Sequence, residues 1–254
     1  MNLEIEGKKA LITGGSRGIG FAIASRLAAE GCETRLVARD AAALDAARAR
    51  ILAGHRGKVS VHAADLGDPE QLQSVFPLLQ DVDILVNSAG AVPRGTVFEV
   101  SAETFRAAFA AKVMGAIDLS REALRHMCAR RSGVIVNIIG LSGERPNPRS
   151  VATSTANAAL IAFTHSVGSI SVDDNVRVLG VNPGLIATER TASLTDSGDQ
   201  VNNAAYRHLI ATLPYGRMGT PEEIADVVAF LASPRATYMS GTVVTVDAGS
   251  RFRV

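Results

Sequence analysis

The sequence predicts an α/β fold, a doubly wound parallel sheet with helices on both faces. Three observations predict it. Short β-branched runs alternate with longer Ala/Leu/Arg-rich stretches of helical spacing along the chain. Several runs, such as Val134-Ile135-Val136-Asn137-Ile138-Ile139 and Ile84-Leu85-Val86, are apolar without alternation, as expected of strands buried on both sides. The first run, Lys9-Ala10-Leu11-Ile12-Thr13, passes through Gly14-Gly15-Ser16-Arg17-Gly18-Ile19-Gly20 into the helical pattern Phe21, Ile23, Ala24, Leu27, Ala28. Glycines placed where strand becomes helix let backbone N–H groups and the helix N-terminus hold a pyrophosphate.

Each element then has its own signal. The first strand, near 8–14, ends at the glycines, and the second, near 33–38, ends at Val37-Ala38-Arg39-Asp40. Dinucleotide sites of this kind usually place a carboxylate there for the ribose hydroxyls, but Ala38 and Arg39 stand instead. Arg39, with Arg17 in the glycine loop, is suited to fork onto a 2′-phosphate, which favours NADP(H) over NAD(H); the alternative is a solvated arginine at a strand end. Strands near 58–64 and 82–88 end at Asp65-Leu66 and Asn87-Ser88-Ala89-Gly90, gathering polar groups and a glycine at one sheet edge. Strands near 133–139, 176–182 and 242–247 complete the sheet. The stretch 188–219, containing Ser193, Asp196, Ser197, Gly198 and Asp199, carries no clear strand. It follows a strand's carboxyl end and reads either as a substrate-side lid or as an ordinary surface excursion.

Composition narrows the function classes. The chain has 254 residues, 47% of them apolar, enough for one sizeable core and one domain spanning 1–254. A net charge of +1 supplies no basic field for nucleic acid, and no apolar run approaches the ~18 residues that would span a membrane. The opening Met1-Asn2-Leu3-Glu4-Ile5-Glu6-Gly7 has neither a basic region nor a long apolar one, so a cytoplasmic location is expected. Cys32 and Cys128 are isolated, without the spacing of a zinc site or a disulfide framework, and read as packing residues; no metal site is expected.

Further segments occur in order: Asn182-Pro183-Gly184-Leu185-Ile186-Ala187-Thr188, Arg217-Met218-Gly219-Thr220-Pro221-Glu222-Glu223-Ile224-Ala225, and Ser240-Gly241 through Val246-Asp247-Ala248-Gly249. With these, the glycine loop, Asp65-Leu66 and Asn87-Ser88-Ala89-Gly90, the chain resembles the short-chain dehydrogenase/reductase family, in its compact form, over nearly its whole length. The resemblance implies a Rossmann-type domain that transfers hydride between a nicotinamide cofactor and a small carbonyl or alcohol substrate. It implies that Gly14, Ser16, Arg17, Gly18, Ile19 and Gly20 cradle the cofactor, and that Asp65 and Leu66 border its adenine. Asn87, Ala89 and Gly90 would line it, while Pro183, Gly184, Ile186 and Thr188 hold the nicotinamide end; Asn87 also stabilises the sheet in this family. A homotetramer or homodimer is implied through helices near 101–131 and 150–170. There Ala156, Ala158, Ala159, Ile161, Ala162 and Phe163 serve either that interface or the core.

The same resemblance exposes a departure. Members usually pair a tyrosine proton donor with a lysine four residues later, a carbonyl-polarising serine and an asparagine in a water relay. Aligned on the flanking strand and helices, the serine position holds Gly140, the tyrosine position Thr153, the lysine position Asn157 and the asparagine position Lys112. No Tyr-x-x-x-Lys exists elsewhere, because Tyr206, Tyr215 and Tyr238 are followed at that spacing by Ile210, Gly219 and Thr242. Thr153 is no substitute: its hydroxyl is far less acidic than a phenol of pKa ~10, and its side chain is shorter.

Lysine and asparagine have thus exchanged places. Turned inward, Lys112 retains a buried amine whose pKa desolvation would lower, suited to acid–base or imine chemistry; turned outward, it snorkels or pairs with a carboxylate. Ser142 either supplies a hydroxyl or caps its loop. Lys112, Ser142, Thr153 and Asn157 are therefore the catalytic candidates, with Ser154 and Thr155 read as widening the pocket. Arg94, Glu144, Arg145 and Arg149 at the expected mouth either recognise an anion or are solvated loop charges. Three readings follow: an NADP(H)-dependent oxidoreductase with an unconventional centre, a non-catalytic NADP(H)-binding regulatory or partner subunit, and a redox-neutral lyase or isomerase.

Overall fold

The computed structural model describes residues 1–55, 57–90, 92–189, 191 and 210–253. Seven strands, β1 (Lys9–Thr13), β2 (Glu33–Ala38), β3 (Val59–Ala63), β4 (Ile84–Asn87), β5 (Gly133–Ile138), β6 (Val176–Pro183) and β7 (Thr242–Val246), form one sheet in the order β3-β2-β1-β4-β5-β6-β7. Every neighbouring pair is parallel. The chain winds outward from β1 to β3 and returns on the other side at β4, so the carboxyl ends of β1 and β4 flank the switch point where this topology opens a crevice.

Seven α-helices among the described residues cover the sheet: α1 (Gly18–Ala29), α2 (Ala41–Gly54), α3 (Pro69–Val75), α4 (Ala102–Phe109), α5 (Gly115–Ala129), α6 (Val151–Gly168) and α7 (Pro221–Ala232). Alternate residues of each strand feed opposite layers, which is why the runs need no polar alternation. Ile12, Val86, Val136 and Val181 pack with Ile23 and Leu27 of α1, Leu44 of α2 and Val228 of α7. Leu11, Leu85, Ile135 and Val178 pack on the other face with Leu72, Leu119, Ala123 and Met127 of α3 and α5. Ala152, Ala156 and Leu160 of α6 join Ile139, Val113 and Ala116 in a third cluster. Ala156 thus belongs to the core, whereas Ala158 and Ala162 are exposed.

Helix starts follow local chemistry. Asp68 accepts from the Glu70 and Gln71 amides with Pro69 in the first turn of α3, and Thr220 with Glu223 forms a reciprocal capping box on α7. Asp40 accepts from the Ala43 amide and caps α2, so its carboxylate serves a helix. The stretch 188–219, including Ser193, Asp196, Ser197, Gly198 and Asp199, lies for the most part outside the described residues. No helix among the described residues is long and apolar enough to cross a membrane.

At the opposite edge, Asp81 ties β1 to β2, accepting from Lys9 Nζ at 2.6 Å and from Arg35 Nη1 and Nη2 at 2.6 and 3.0 Å. The Arg35 hydrogen bonds, with those of Lys9, outweigh desolvation and hold the carboxyl well below the usual carboxylate range. A pKa depressed on folding stabilises above the unfolded value and loses that contribution as pH falls. Because Asp81 is half exposed, Asp81→Asn is expected to lower stability at neutral pH by only about 1 kcal/mol. The deficit should shrink as pH drops below about 4. Chemical denaturation of both proteins across that range checks it; a deficit independent of pH would contradict it.

Candidate active site

The glycine loop closes tightly against its own backbone. A Cβ on Gly20 would lie 2.2 Å from the Gly14 carbonyl oxygen, so the turn from β1 into α1 admits no side chain there. Thr13 fixes the loop from the side: its Oγ1 accepts from the Ser88 and Ala89 amides, each at 3.0 Å, joining the ends of β1 and β4. Helix α1 begins at Gly18 with no side-chain cap from Arg17 and no acidic residue in its first turn. Helices α2 and α7 have side-chain caps, whereas α1, like α5 and α6, has none, so no capping side chain takes the first N–H groups of α1; Glu189 Oε2 lies 3.9 Å from where a Gly18 Cβ would be. Across the loop, Thr188 Cγ2 lies 3.5 Å from where a Gly18 Cβ would be, bringing the segment after β6 over the cradle.

The remaining cofactor candidates lie along the same edge. Arg39 is largely exposed beyond β2, its guanidinium 3.9 Å from Asp65, whose other oxygen accepts from the Gly67 amide. Leu66 is buried, and Ile186 pairs with Gly219 in a parallel bridge. Gly184 donates to Val246 and closes the end of β6 on β7. The Asn87 side chain is engaged within the protein: Nδ2 donates to Asn137 Oδ1 at 2.9 Å and Ser120 Oγ at 3.0 Å. Asn137 donates in turn to Thr164, a buried polar relay from β4 through β5 to α6.

Lys112 lies on a single π-helical turn, Ala110–Met114, inserted between α4 and α5. Such turns carry one extra residue and often occur at functional positions. The side chain turns inward rather than snorkelling. Lys112 is 8% exposed, its stem lies against Gly90, where a Cβ would fall 2.5 Å from that of Lys112, and Nζ donates to the Ile139 carbonyl at 3.0 Å.

Gly140 follows immediately, at φ +137°, with its amide donating to Asn182 Oδ1 at 3.2 Å. A Cβ on Gly140 would fall 2.8 Å from Asn157 Nδ2, so the carboxamide fills the space beside the glycine. Asn157 is 2% exposed; its Nδ2 donates to Ser142 Oγ at 2.9 Å, and its Oδ1 is buried without a hydrogen bond among the described residues. Thr153, half buried, lies one turn earlier on the same helix face. Lys112, Gly140, Ser142 and Asn157 therefore share one end of the sheet, beyond β4 and β5.

The other polar residues of this region have different roles from those the sequence suggests. Ser154 Oγ accepts from the Asn147 amide, and Thr155 Oγ1 donates back to the Val151 carbonyl. Tyr215 and Tyr238 are exposed, and Tyr206 lies outside the described residues. Glu144 and Arg145 are exposed but engaged: Glu144 accepts from Asn182, and Arg145 donates to carbonyls of the C-terminal segment.

Similarity to known proteins agrees with this geometry. The family model described as enoyl-(acyl carrier protein) reductase matches residues 14–251. The chain belongs to the short-chain dehydrogenase/reductase family. It is 34% identical to a 3-oxoacyl-[acyl-carrier-protein] reductase of Aquifex aeolicus, covering 98% of this chain and 99% of that one. It is 33% identical to a galactitol 2-dehydrogenase (L-tagatose-forming) of Cereibacter sphaeroides, covering 96% and 95%. The crystal structure of L-sorbose reductase from Gluconobacter frateurii, complexed with NADPH and L-sorbose, superposes with a TM-score of 0.92 at 33% identity over the full length of both chains. This chain is thus a short-chain dehydrogenase/reductase whose relatives are oxidoreductases.

Proposed function

We propose that the protein is an NADP(H)-dependent oxidoreductase acting on a small carbonyl or alcohol, with Lys112 in place of a tyrosine as its proton-transfer group. The observation that carries this reading is the inward, buried Lys112 ammonium beside Gly90 and the end of β5. The residues present fit the cofactor: the cradle excludes side chains at Gly20, and the first turn of α1 has neither an acidic residue nor a side-chain cap of its own. Gly14, Ser16, Arg17, Gly18 and Ile19 would hold the pyrophosphate, Asp65 and Leu66 the adenine, and Ala89, Gly90, Pro183, Gly184, Ile186 and Thr188 the nicotinamide half. When bound, the cofactor supplies a hydride.

The chain's own residues supply the rest. Lys112 donates a proton to the carbonyl oxygen from the wall that carries Gly90 and recovers it from water; in the reverse direction it accepts one. Asn157 orients the Ser142 hydroxyl by donating to its oxygen, which leaves the hydroxyl proton for the substrate carbonyl. Thr153, without a bulky phenol, leaves room beside them. Steady-state NADPH oxidation over a panel of ketones and aldehydes tests the reading.

Arg39 sets the preference for the phosphorylated cofactor. An exposed guanidinium beside Asp65 can leave that pair for a 2′-phosphate, whose bidentate recognition is stronger than a 3.9 Å surface contact. Arg39→Asp is expected to move the ratio of NADPH to NADH affinity by about 100-fold toward NADH, the sum of a lost attraction and an added repulsion. Fluorescence titration with both cofactors checks it; an unchanged ratio removes Arg39 from the site.

A further inference from the structure

The loop that carries Gly140 and Ser142 is anchored to the far end of the chain through side chains that the cofactor reading does not use. Asn182, fully buried at the end of β6, accepts from the Gly140 amide with Oδ1 and donates from Nδ2 to Glu144 Oε1 at 2.7 Å. That Glu144 oxygen also accepts from Thr245 Oγ1 at 3.3 Å, and its partner oxygen accepts from Arg251 Nη1. Arg251 Nη1 donates as well to Thr245 Oγ1 at 2.8 Å. The next residue, Arg145, directs Nη1 at the carbonyls of Ser250, Arg251 and Arg253, at 3.4, 3.1 and 3.4 Å. Asp247 completes the seat by accepting from the Gly249 and Arg251 amides, each at 2.8 Å.

This is a route from the C-terminal segment to one backbone group. Gly140 holds a φ of +137°, a conformation that needs fixing from outside, and its amide is fixed by Asn182 alone among the described residues. Asn182 is in turn oriented by Glu144, because an amide with no second partner for Nδ2 would have no reason to present Oδ1 to Gly140. Glu144 is held by Arg251. We infer that Glu144 and Arg251 are positioning residues: residues 250–253 set, through Glu144, the geometry of Asn182, which holds the Gly140–Ser142 loop and leads directly into Pro183 and Gly184, and so set the affinity of the nicotinamide half of the site. The inference rests on the proposed cofactor reading, since the ligand sensed is that half of NADPH. It predicts that damage to this seat is felt at the end of the sheet beyond β5 and not at the glycine cradle beyond β1.

Binding of NADPH and of 2′,5′-ADP, which lacks the nicotinamide half, is measured on the full chain and its variants, together with their melting temperatures. Glu144→Ala and Arg251→Ala should weaken NADPH about 10-fold, the scale of a lost charge-assisted hydrogen bond, and leave 2′,5′-ADP within about 2-fold. Glu144→Gln keeps an acceptor for Asn182 and should recover most of the NADPH affinity. Arg251 is partly exposed, so its variant remains informative if Glu144→Ala fails to fold. Equal weakening of both ligands, or unchanged NADPH affinity in folded Glu144→Ala and Arg251→Ala, would overturn the inference while leaving the cofactor reading intact. A wild-type chain that binds neither ligand would overturn the cofactor reading and this inference with it.

Discussion

Lys112→Met is expected to lower the turnover number by about 10²–10⁴-fold, the range contributed by a positioned general acid. Methionine preserves the unbranched stem that packs against Gly90, so the change isolates the ammonium. The Ile139 carbonyl loses its 3.0 Å donor, which should cost about 1–2 kcal/mol of stability without unfolding the chain. NADPH affinity should stay within about 3-fold, since the ammonium acts on the reacting oxygen. Lys112→Arg separates charge from proton transfer: a guanidinium keeps the positive charge and the hydrogen bond but does not release a proton near neutral pH, so it should not restore turnover. Steady-state kinetics of the three proteins measure this; full turnover in Lys112→Met would remove Lys112 from the mechanism.

The second large effect lies in the cradle. Gly20→Ala places a methyl 2.2 Å from the Gly14 carbonyl oxygen, a backbone atom that cannot rotate away. The turn must open, with a stability loss near the upper end of the overpacking range, about 3 kcal/mol. Loss of the aligned N–H groups should weaken NADPH by at least about 100-fold, because the pyrophosphate is held by backbone geometry rather than by a replaceable side chain. Gly54→Ala serves as the control: its Cβ meets nothing within 4 Å, and the position needs no positive φ. Calorimetric titration of both variants with NADPH decides the matter; tight binding by Gly20→Ala would show that the loop does not hold the pyrophosphate.

Much of this architecture was legible in the sequence because its causes are local. Runs such as that of β5 are apolar but for Asn137 because Val134 and Val136 face one helical layer and Ile135 the other, so the pattern itself reports a covered sheet. Asp68-Pro69 and Thr220-Pro221 mark helix starts in the residues that make the caps. The inward course of Lys112 was not legible, since it depends on a π turn that shifts the helix face by one residue and leaves no trace in apolar spacing. Glu144 and Arg145 were equally opaque: their partners lie about a hundred residues away, and nothing in a loop's charges names a distant carbonyl. Asp40 had a readable signal, an aspartate just before an alanine-rich helix, and the structure gives it the capping role.

The most direct test of an oxidoreductase with this centre is isotopic. The wild-type chain is loaded with NADPH deuterated at the transferring position of nicotinamide carbon 4 and mixed with a panel of ketones and aldehydes, and the products are analysed by mass spectrometry. The account predicts an alcohol carrying one deuterium for each NADP⁺ formed. Saturated binding of NADPH, with no deuterium delivered to any carbonyl, would contradict it.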